Sequence, residues 1–306
     1  MKLAAITKII RISRNVVDLD RSIAFYQDRL GFQVCGPAFI MEPALAAELG
    51  FGARYINVQR LQLGEEELEL VEAGPNVRPY PSPSTSADLV FQHLAVRCLD
   101  IDASFKRLYR KDSDSVLPTA ISRNPSYDPT PIRLPVSSGG VTAFKFRDPD
   151  GHPLELLQPA RHKGARSTVC AGIDHTAISI SSTASSIAFY EDLLGLTVSA
   201  YETNSGSEQG SLDALESPIV DVVALQTKSQ LSPHLELLSY RRPIASAYHA
   251  RAEPADIVGD RIVIRCSDVR SLATELGIAS RIVRSASGRP ALLFRDPNDH
   301  LLWAIE

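Results

Sequence analysis

The chain has 306 residues, a formal net charge of −4 at neutral pH and a hydrophobic content of 44%. These values are ordinary for a globular protein of about two domains. The slight acidity argues against a nucleic-acid partner, and the short apolar runs argue against a membrane span or a secretory signal. The four cysteines show no CxxC spacing, which indicates reduced thiols and predicts a cytoplasmic location.

The first predicted unit begins with a strand at residues 8–18 and continues into a helix that ends at Gly31. Asp18 or Asp20 is expected to cap this helix, because an aspartate carboxylate accepts hydrogen bonds from free backbone N–H groups in the first turn. Two or three strands follow, at residues 32–37, 55–63 and 67–72. The order of elements is therefore βαβββ.

The second unit follows a Pro/Ser-rich bridge at residues 75–86. It begins with a strand at Phe91 and continues with a helix over about 101–111 and a long polar loop that runs to Pro135. Its last two strands flank an Arg-Asp-Pro turn, and the final strand begins at Pro153. This unit is again βαβββ.

The C-terminal half repeats both units. Residues 186–198 match residues 22–34 at nine of thirteen positions, and the Phe-Arg-Asp-Pro turn at Phe146 recurs at Phe294. Matches of this length indicate an internal duplication. Four modules follow from it, in which the third copies the first and the fourth copies the second.

The duplication predicts two domains of two modules each. The N-terminal domain spans 1–160 and the C-terminal domain spans 170–306, and the basic segment 161–167 is the predicted linker between them. The predicted module boundaries are 8–74, 88–160, 170–241 and 256–306.

The repeated Ser-x-x-Phe-Tyr-x-Asp-x-Leu-Gly segments, the Phe-Arg-Asp-Pro turns and the Leu-Glu-Leu strands resemble the vicinal oxygen chelate superfamily. That superfamily includes glyoxalase I, methylmalonyl-CoA epimerase, extradiol dioxygenases and bleomycin-resistance proteins. The resemblance implies an α+β fold in which four βαβββ modules form two cup-shaped mixed sheets. It also implies a small-molecule substrate, a divalent metal ion as cofactor, and a monomer or homodimer.

The resemblance assigns one metal ligand to the first strand of a module and one to its last strand. Modules two and three each carry a complete His/Glu pair at these positions, which are His93 with Glu155 and His175 with Glu236. Imidazole nitrogens and carboxylates suit Ni, Zn, Co, Mn or Fe. Module one keeps only Glu69, and module four keeps neither ligand. Arginine or tryptophan occupies the vacated positions, at Arg11, Arg261 and Trp303.

Two ways of pairing the modules remain open. If modules two and three share a cup, His93, Glu155, His175 and Glu236 form one His₂Glu₂ site. If the modules pair in chain order, one cup holds Glu69 in addition to the second module's pair, and the other cup holds only the third module's pair. The complete pairs in two adjacent modules favour the central pairing.

The resemblance implies a glyoxalase-type isomerase or lyase that moves a proton on a substrate with vicinal oxygens. Glu155 or Glu236 is the expected general base. A polar loop that contains Asn204, Glu208 and Gln209 is expected to contact the substrate, as is His234, which lies two residues before Glu236. The alternatives are an Fe(II)-dependent extradiol-type dioxygenase and a metal-free small-molecule binding or resistance protein.

Overall fold

The computed structural model describes residues 6–111, 114–160, 170–244 and 252–306. The predicted linker at 161–167 lies outside the described residues. Within those ranges the chain forms two mixed sheets with short helices, and the predicted α+β fold of four modules is confirmed.

The modules contain the following helices and strands. Module one has β1 (Ile6–Val16), α1 (Leu19–Phe25), β2 (Gln33–Val34), β3 (Phe39–Met41), α2 (Pro43–Glu48), β4 (Ile56–Leu63) and β5 (Glu66–Glu72). Module two has β6 (Gln92–Cys98), α3 (Ile101–Leu108), β7 (Thr119–Ala120), β8 (Ile132–Arg133), β9 (Thr142–Arg147) and β10 (Pro153–Gln158). Module three has β11 (Cys170–Ser179), α4 (Thr183–Ile187), β12 (Thr197–Ser205), α5 (Ser207–Asp213), β13 (Ile219–Thr227) and β14 (Gln230–Arg242). Module four has β15 (Arg261–Cys266), α6 (Val269–Glu275), β16 (Val283–Arg284), β17 (Pro290–Arg295) and β18 (Leu301–Ile305).

The first helix of each module begins with the same side-chain cap. Asp18 is the N-cap of α1, where its carboxylate accepts a hydrogen bond from the Arg21 backbone N–H. Asp100, Ser182 and Asp268 cap α3, α4 and α6 in the same way. The helical path of α1 continues as a π-helical turn and ends at Gly31, whose φ of +86° is the left-handed conformation that glycine adopts readily.

Two helices appear where the sequence pattern predicted none. Helix α2 follows β3, and helix α5 replaces most of the polar loop expected after Asn204. Gly206 has a φ of +95° and turns the chain from β12 into α5. Both helices are six or seven residues long, which is too short to show an apolar period in the sequence.

Each sheet combines modules from both halves of the chain. The first sheet has the order β16-β17-β18-β15-β1-β5-β4-β2, with β3 paired to β4, and so contains modules one and four. The second sheet has the order β12-β13-β14-β11-β6-β10-β9-β7, with β8 paired to β9, and so contains modules two and three. The favoured central pairing of modules is the arrangement observed.

The first strands of two modules lie side by side at the centre of each sheet. Strand β1 pairs antiparallel with β15, and β6 pairs antiparallel with β11. Within a module the first strand runs parallel to the last, as β6 does with β10. The positions that the resemblance assigns to metal ligands are thereby gathered at the middle of each sheet.

One large core cluster draws buried side chains from all four modules, including Ile12, Leu94, Ile178 and Ile262. Burial of apolar area on this scale is the main stabilising term for the fold. None of the described helices is long and apolar enough to cross a membrane.

Candidate metal centre

The antiparallel register of β6 and β11 brings the two histidines together. His93 lies opposite Ala177, and His175 lies opposite Ala95. Their side chains share one face of the second sheet, and the two Nε2 atoms are 3.1 Å apart. Both residues are buried. One metal ion can therefore reach both imidazoles.

The two glutamates flank the histidines from the neighbouring strands. Glu155 in β10 lies opposite Ala95, and its Oε2 is 3.0 Å from His93 Nε2. Glu236 in β14 lies opposite Ala177, and its Oε2 is 3.4 Å from His175 Nε2. All four residues that the sequence singled out as metal ligands thus lie in one cluster.

Alanines lie opposite both histidines, between the four candidate ligands. Ala95 lies between His175 and Glu155 in one row across the sheet, and Ala177 lies between His93 and Glu236 in the next. A methyl group is the smallest side chain that still packs in a strand. Larger residues at either position would project into the space that the imidazoles and carboxylates face.

The donor set and its spacing fit a divalent metal. His nitrogens and carboxylate oxygens bind Zn²⁺ at about 2.0–2.2 Å, which places neighbouring ligand atoms roughly 3.0–3.5 Å apart. The distances of 3.0, 3.1 and 3.4 Å fall in that range. Within the described residues, His93, Glu155 and His175 form a mutually close set of ligand atoms, and Glu236 joins it through His175.

The outer partners of the two imidazoles differ. His175 Nδ1 lies 3.1 Å from Asp174 Oδ2, a carboxylate that can hold the imidazole with Nε2 turned toward the metal. His93 Nδ1 is buried and has no hydrogen-bond partner in the described part of the chain. The His175 side of the site is therefore the more firmly oriented.

The electrostatics of the cluster favour a positive charge between the glutamates. Burial opposes protonation of His175, but the carboxylates of Glu236 and Asp174 outweigh it and raise the pKa of His175 to about 9. Burial would raise the pKa of Glu236, yet the charge of His175 and the hydrogen bond to His234 outweigh it and lower that pKa to about 2. Burial lowers the pKa of His93. A divalent cation satisfies the same carboxylates that draw a proton to His175.

A cavity of about 340 Å³ opens beside the four ligands. This volume is at the lower end of the range for small-molecule sites. Asn204 and Gln209 line the cavity, and each has a buried amide oxygen without a hydrogen-bond partner in the described residues. A bound molecule with N–H or O–H groups would satisfy these two acceptors.

The other two residues expected to contact substrate lie elsewhere. Glu208 is exposed on α5, bonds to the neighbouring Ser207 and does not line the cavity. His234 also stays outside the cavity wall, but its Nε2 is 3.4 Å from Glu236 Oε1. Glu208 lies outside the cavity because α5, which forms where a loop was expected, turns successive side chains in different directions.

Sequence reasoning missed a buried polar group on the cavity wall. Lys145 in β9 lies opposite Glu155, and its Nζ donates to Asp213 Oδ1 at 2.7 Å. Tyr240 donates to the other oxygen of Asp213 at 2.9 Å. The available signal was a lysine between two phenylalanines in a strand that is otherwise apolar at its centre.

Arginine side chains occupy the corresponding place in the first sheet. Arg11 occupies a vacated ligand position, and its Nε donates to Glu69 Oε2 at 3.0 Å. Arg60 contacts the same oxygen at 3.3 Å. Arg261 donates to Asn15 Oδ1 at 2.6 Å. A guanidinium therefore neutralises the one remaining glutamate, so Glu69 does not belong to the candidate metal centre.

The chain belongs to the Glyoxalase/Bleomycin resistance protein/Dioxygenase superfamily, whose family model matches residues 8–156 and 172–243, more than half of the chain. Members of this superfamily typically bind a divalent metal and act on small molecules. The fold is similar to that of glyoxalase I from Zea mays, with 17% identity, a TM-score of 0.59, and coverage of 98% of this chain and 92% of that one. A variant of the same maize enzyme gives a TM-score of 0.61 with the same identity and coverage.

A protein from Bacillus subtilis subsp. subtilis str. 168 that is provisionally named a dioxygenase has the same fold. It shows 14% identity and a TM-score of 0.59, with coverage of 99% of this chain and 86% of that one. No curated protein sequence matched the chain. At these identities the structural similarity establishes the fold, and it leaves the reaction to be argued from the site.

Proposed function

We propose that the protein is a divalent-metal-dependent enzyme of the glyoxalase type, which transfers a proton on a small substrate with two adjacent oxygens. The observation that carries the proposal is the cluster of His93, His175, Glu155 and Glu236 in one buried site, with ligand-atom distances of 3.0–3.4 Å. When bound, the metal supplies a Lewis acid that acidifies a carbon next to a coordinated oxygen.

Glu236 is the better candidate for the general base. Its side chain is 20% exposed, whereas that of Glu155 is 7% exposed and is bonded to His93. His93, Glu155 and His175 would hold the metal, and Glu236, at the edge of that set, would accept a proton without opening the core. His234 contacts the other oxygen of Glu236, and so it can orient the carboxylate during the transfer.

The remaining polar groups are proposed to hold the substrate. Asn204 and Gln209 each present an unpartnered amide oxygen at the cavity wall, where they would accept hydrogen bonds from the substrate. Because buried acceptors without partners are costly, their presence favours a ligand that carries donors.

A second candidate function is a ring-cleaving oxygenase that uses Fe(II). The observation that favours it is the mutually close set of His93, His175 and Glu155, which is a two-histidine, one-carboxylate arrangement. The additional contact of Glu236 with His175 argues for the proton-transfer enzyme, because a fourth protein ligand reduces the number of positions open to dioxygen.

The test begins with the metal content of protein purified without added metal, measured by inductively coupled plasma mass spectrometry. About one equivalent of Ni, Zn, Co or Mn supports the isomerase or lyase, and oxygen-labile iron supports the oxygenase. Protein that binds no metal, even after incubation with Zn²⁺ or Fe²⁺, would overturn both.

The reaction type is then tested with E236Q. The loaded enzyme is expected to exchange a carbon-bound hydrogen for solvent deuterium in a panel of 2-oxo acids and hemithioacetals, followed by NMR. The variant E236Q should keep its metal and lose about 10²–10⁴-fold of the exchange rate. The control is E65Q, which alters an exposed glutamate between β4 and β5 in the first sheet and should leave exchange unchanged. Equal exchange rates in E236Q and the native enzyme would contradict the assignment of the base.

A further inference from the structure

Lys145 is a buried charge that the proposed metal chemistry does not use. Its side chain is 4% exposed, and it lines the same cavity as His93 and Glu155. Removing an ammonium group from water costs several kcal/mol unless it is well paired. A lysine at this point in an apolar strand therefore needs a partner inside the protein, a ligand, or both.

The partner inside the protein is Asp213, which arrives from the third module. Lys145 Nζ donates to Asp213 Oδ1 at 2.7 Å. The other oxygen of Asp213 accepts hydrogen bonds from Gln209 at 2.7 Å and from Tyr240 at 2.9 Å. Asp213 is thus fixed by three donors, and the lysine ammonium is held at a defined place on the cavity wall.

The first sheet provides an internal comparison for this arrangement. Arg60 lies opposite Glu69 in the same register in which Lys145 lies opposite Glu155. Arg60 contacts Glu69 directly, whereas no ion pair within 4.0 Å joins Lys145 to Glu155 in the described residues. Lys145 instead pairs with Asp213, so its ammonium group does not neutralise a proposed metal ligand.

The ammonium also has hydrogen-bonding capacity left over. It carries three N–H donors, and across the described part of the chain Asp213 is its one hydrogen-bond acceptor. The ammonium also lies 5.9 Å from the centroid of the Phe91 ring, which accepts no conventional hydrogen bond. Donors without acceptors at the wall of a ligand cavity suit an anionic oxygen, because charge-assisted hydrogen bonds are the stronger kind.

We propose that Lys145 binds a carboxylate of the substrate, positioned by Asp213, next to the two oxygens that reach the metal. This rests on the proposed function, and it narrows the substrate class to small acids that carry a carboxylate beside their vicinal oxygens. Lys145 then acts in substrate binding and specificity, and the proton transfer stays with the glutamates.

The experiment compares metal chelators with and without a carboxylate. Zinc-loaded protein is titrated by calorimetry with acetohydroxamate and with the monohydroxamates of malonic and succinic acid, which place a carboxylate at two distances from the same chelating group. At least one acidic chelator is expected to bind about tenfold more tightly than acetohydroxamate, the effect of one charge-assisted hydrogen bond.

The double variant K145Q/D213N removes both charges with side chains of similar size and leaves no buried ion unpaired. It should retain about one zinc and bind acetohydroxamate as the native protein does, while the preference for the acidic chelators disappears. The control K106Q removes an exposed lysine on α3 and should keep the preference.

The outcomes separate the two proposals. Protein that binds zinc and shows no preference for either acidic chelator would overturn the role of Lys145 alone, as would a preference that persists in K145Q/D213N. Protein that binds no zinc would overturn the metal centre, and the carboxylate site would fall with it. If K145Q/D213N does not fold, K145M/D213L replaces both charges with apolar side chains of similar size and gives the same comparison at equal zinc content.

Discussion

Tyr26 donates a hydrogen bond from its hydroxyl group to Asp148 Oδ2 at 2.8 Å, across the boundary between the two sheets. Tyr26 belongs to the repeated Phe-Tyr segment of module one, and Asp148 belongs to the Arg-Asp-Pro turn of module two. Tyr190 and Asp296 form the same bond at 3.0 Å between modules three and four. The two most visible repeats in the sequence therefore bind one another, and they hold consecutive modules in opposite sheets together.

Loss of this hydroxyl is expected to weaken the fold. Tyr26 also accepts a hydrogen bond from Arg14 Nη1 at 2.7 Å, so Y26F removes one hydrogen bond from each of two buried charged side chains. Arg14 keeps its bond to Asp260, and Asp148 keeps its bonds to the backbone of its own turn. The free energy of unfolding should fall by about 2 kcal/mol, measured by urea denaturation.

The variant Y190F breaks one hydrogen bond only and should lower the free energy of unfolding by about 1 kcal/mol. The control is Y201F, at a half-exposed position, which should change little. An equal loss in all three variants would contradict the role of the network.

The sequence was sufficient to predict the duplication, the four modules and the four residues that cluster in the second sheet. The repeated segments are long, and the first helix of each module begins with a side-chain cap that is visible in the sequence. The pairing of modules could only be favoured, because the register of Ala177 with His93 depends on contacts between residues far apart in the chain. The sequence feature that favoured the correct pairing was the presence of complete His/Glu pairs in modules two and three alone.

Other features of the site depend on packing that the sequence does not display. Helix α5 carries Gln209 to the cavity wall and leaves Glu208 in solvent, and its seven residues are too few for an apolar period. Lys145 and Asp213 lie in different modules, so their contact could not be inferred from spacing. The substitution of Arg11 for a ligand was visible, but its bond to Glu69 needed the structure.

Replacement of His175 should abolish metal retention. This residue contacts both His93 and Glu236, so H175A removes the side chain that connects the two halves of the ligand set. Dialysed H175A is expected to hold less than about a tenth of the native zinc, since loss of a ligand costs more than loss of an outer partner. H234A is the contrasting variant. His234 contacts Glu236 and lies close to Asp174 and His175, but it is not part of the set formed by His93, Glu155 and His175, so H234A should retain most of the metal. Native zinc content in H175A would eliminate the proposed centre.

Enlarging a central alanine should exclude the metal while every ligand is kept. Ala95 is fully buried between His175 and Glu155, so the added atoms of A95L would enter the space between the ligands. Zinc affinity should fall at least about tenfold, and overpacking should cost about 1–3 kcal/mol of stability. A95S adds one atom and serves as the control, with near-native affinity expected. Zinc titration against a competing chelator measures the affinity of both variants, and urea denaturation measures their stability. Unchanged affinity in A95L would show that the ion does not bind at this point.

The ion pair of Glu69 with Arg11 makes a pH-dependent contribution to stability. Burial would raise the pKa of Glu69, but Arg11 and Arg60 outweigh it and lower the pKa below its ordinary value. A carboxylate with a lowered folded-state pKa stabilises the fold above its unfolded pKa of about 4.3, and the contribution is lost as the pH falls through the folded value. E69Q removes the closer charge partner of the buried Arg11 and leaves it the 4.0 Å contact with Glu67, so it should cost about 3 kcal/mol at pH 7. Urea denaturation of the native protein and E69Q from pH 7 to pH 3 should show their difference in free energy of unfolding narrowing below about pH 4. Only the native protein has the Glu69 carboxylate, and so only it loses that stabilisation on protonation.

The control E65Q, at an exposed position in the same acidic run, should follow the native curve at every pH. A difference that stayed constant down to pH 3 would mean that the Glu69 charge does not stabilise the first sheet.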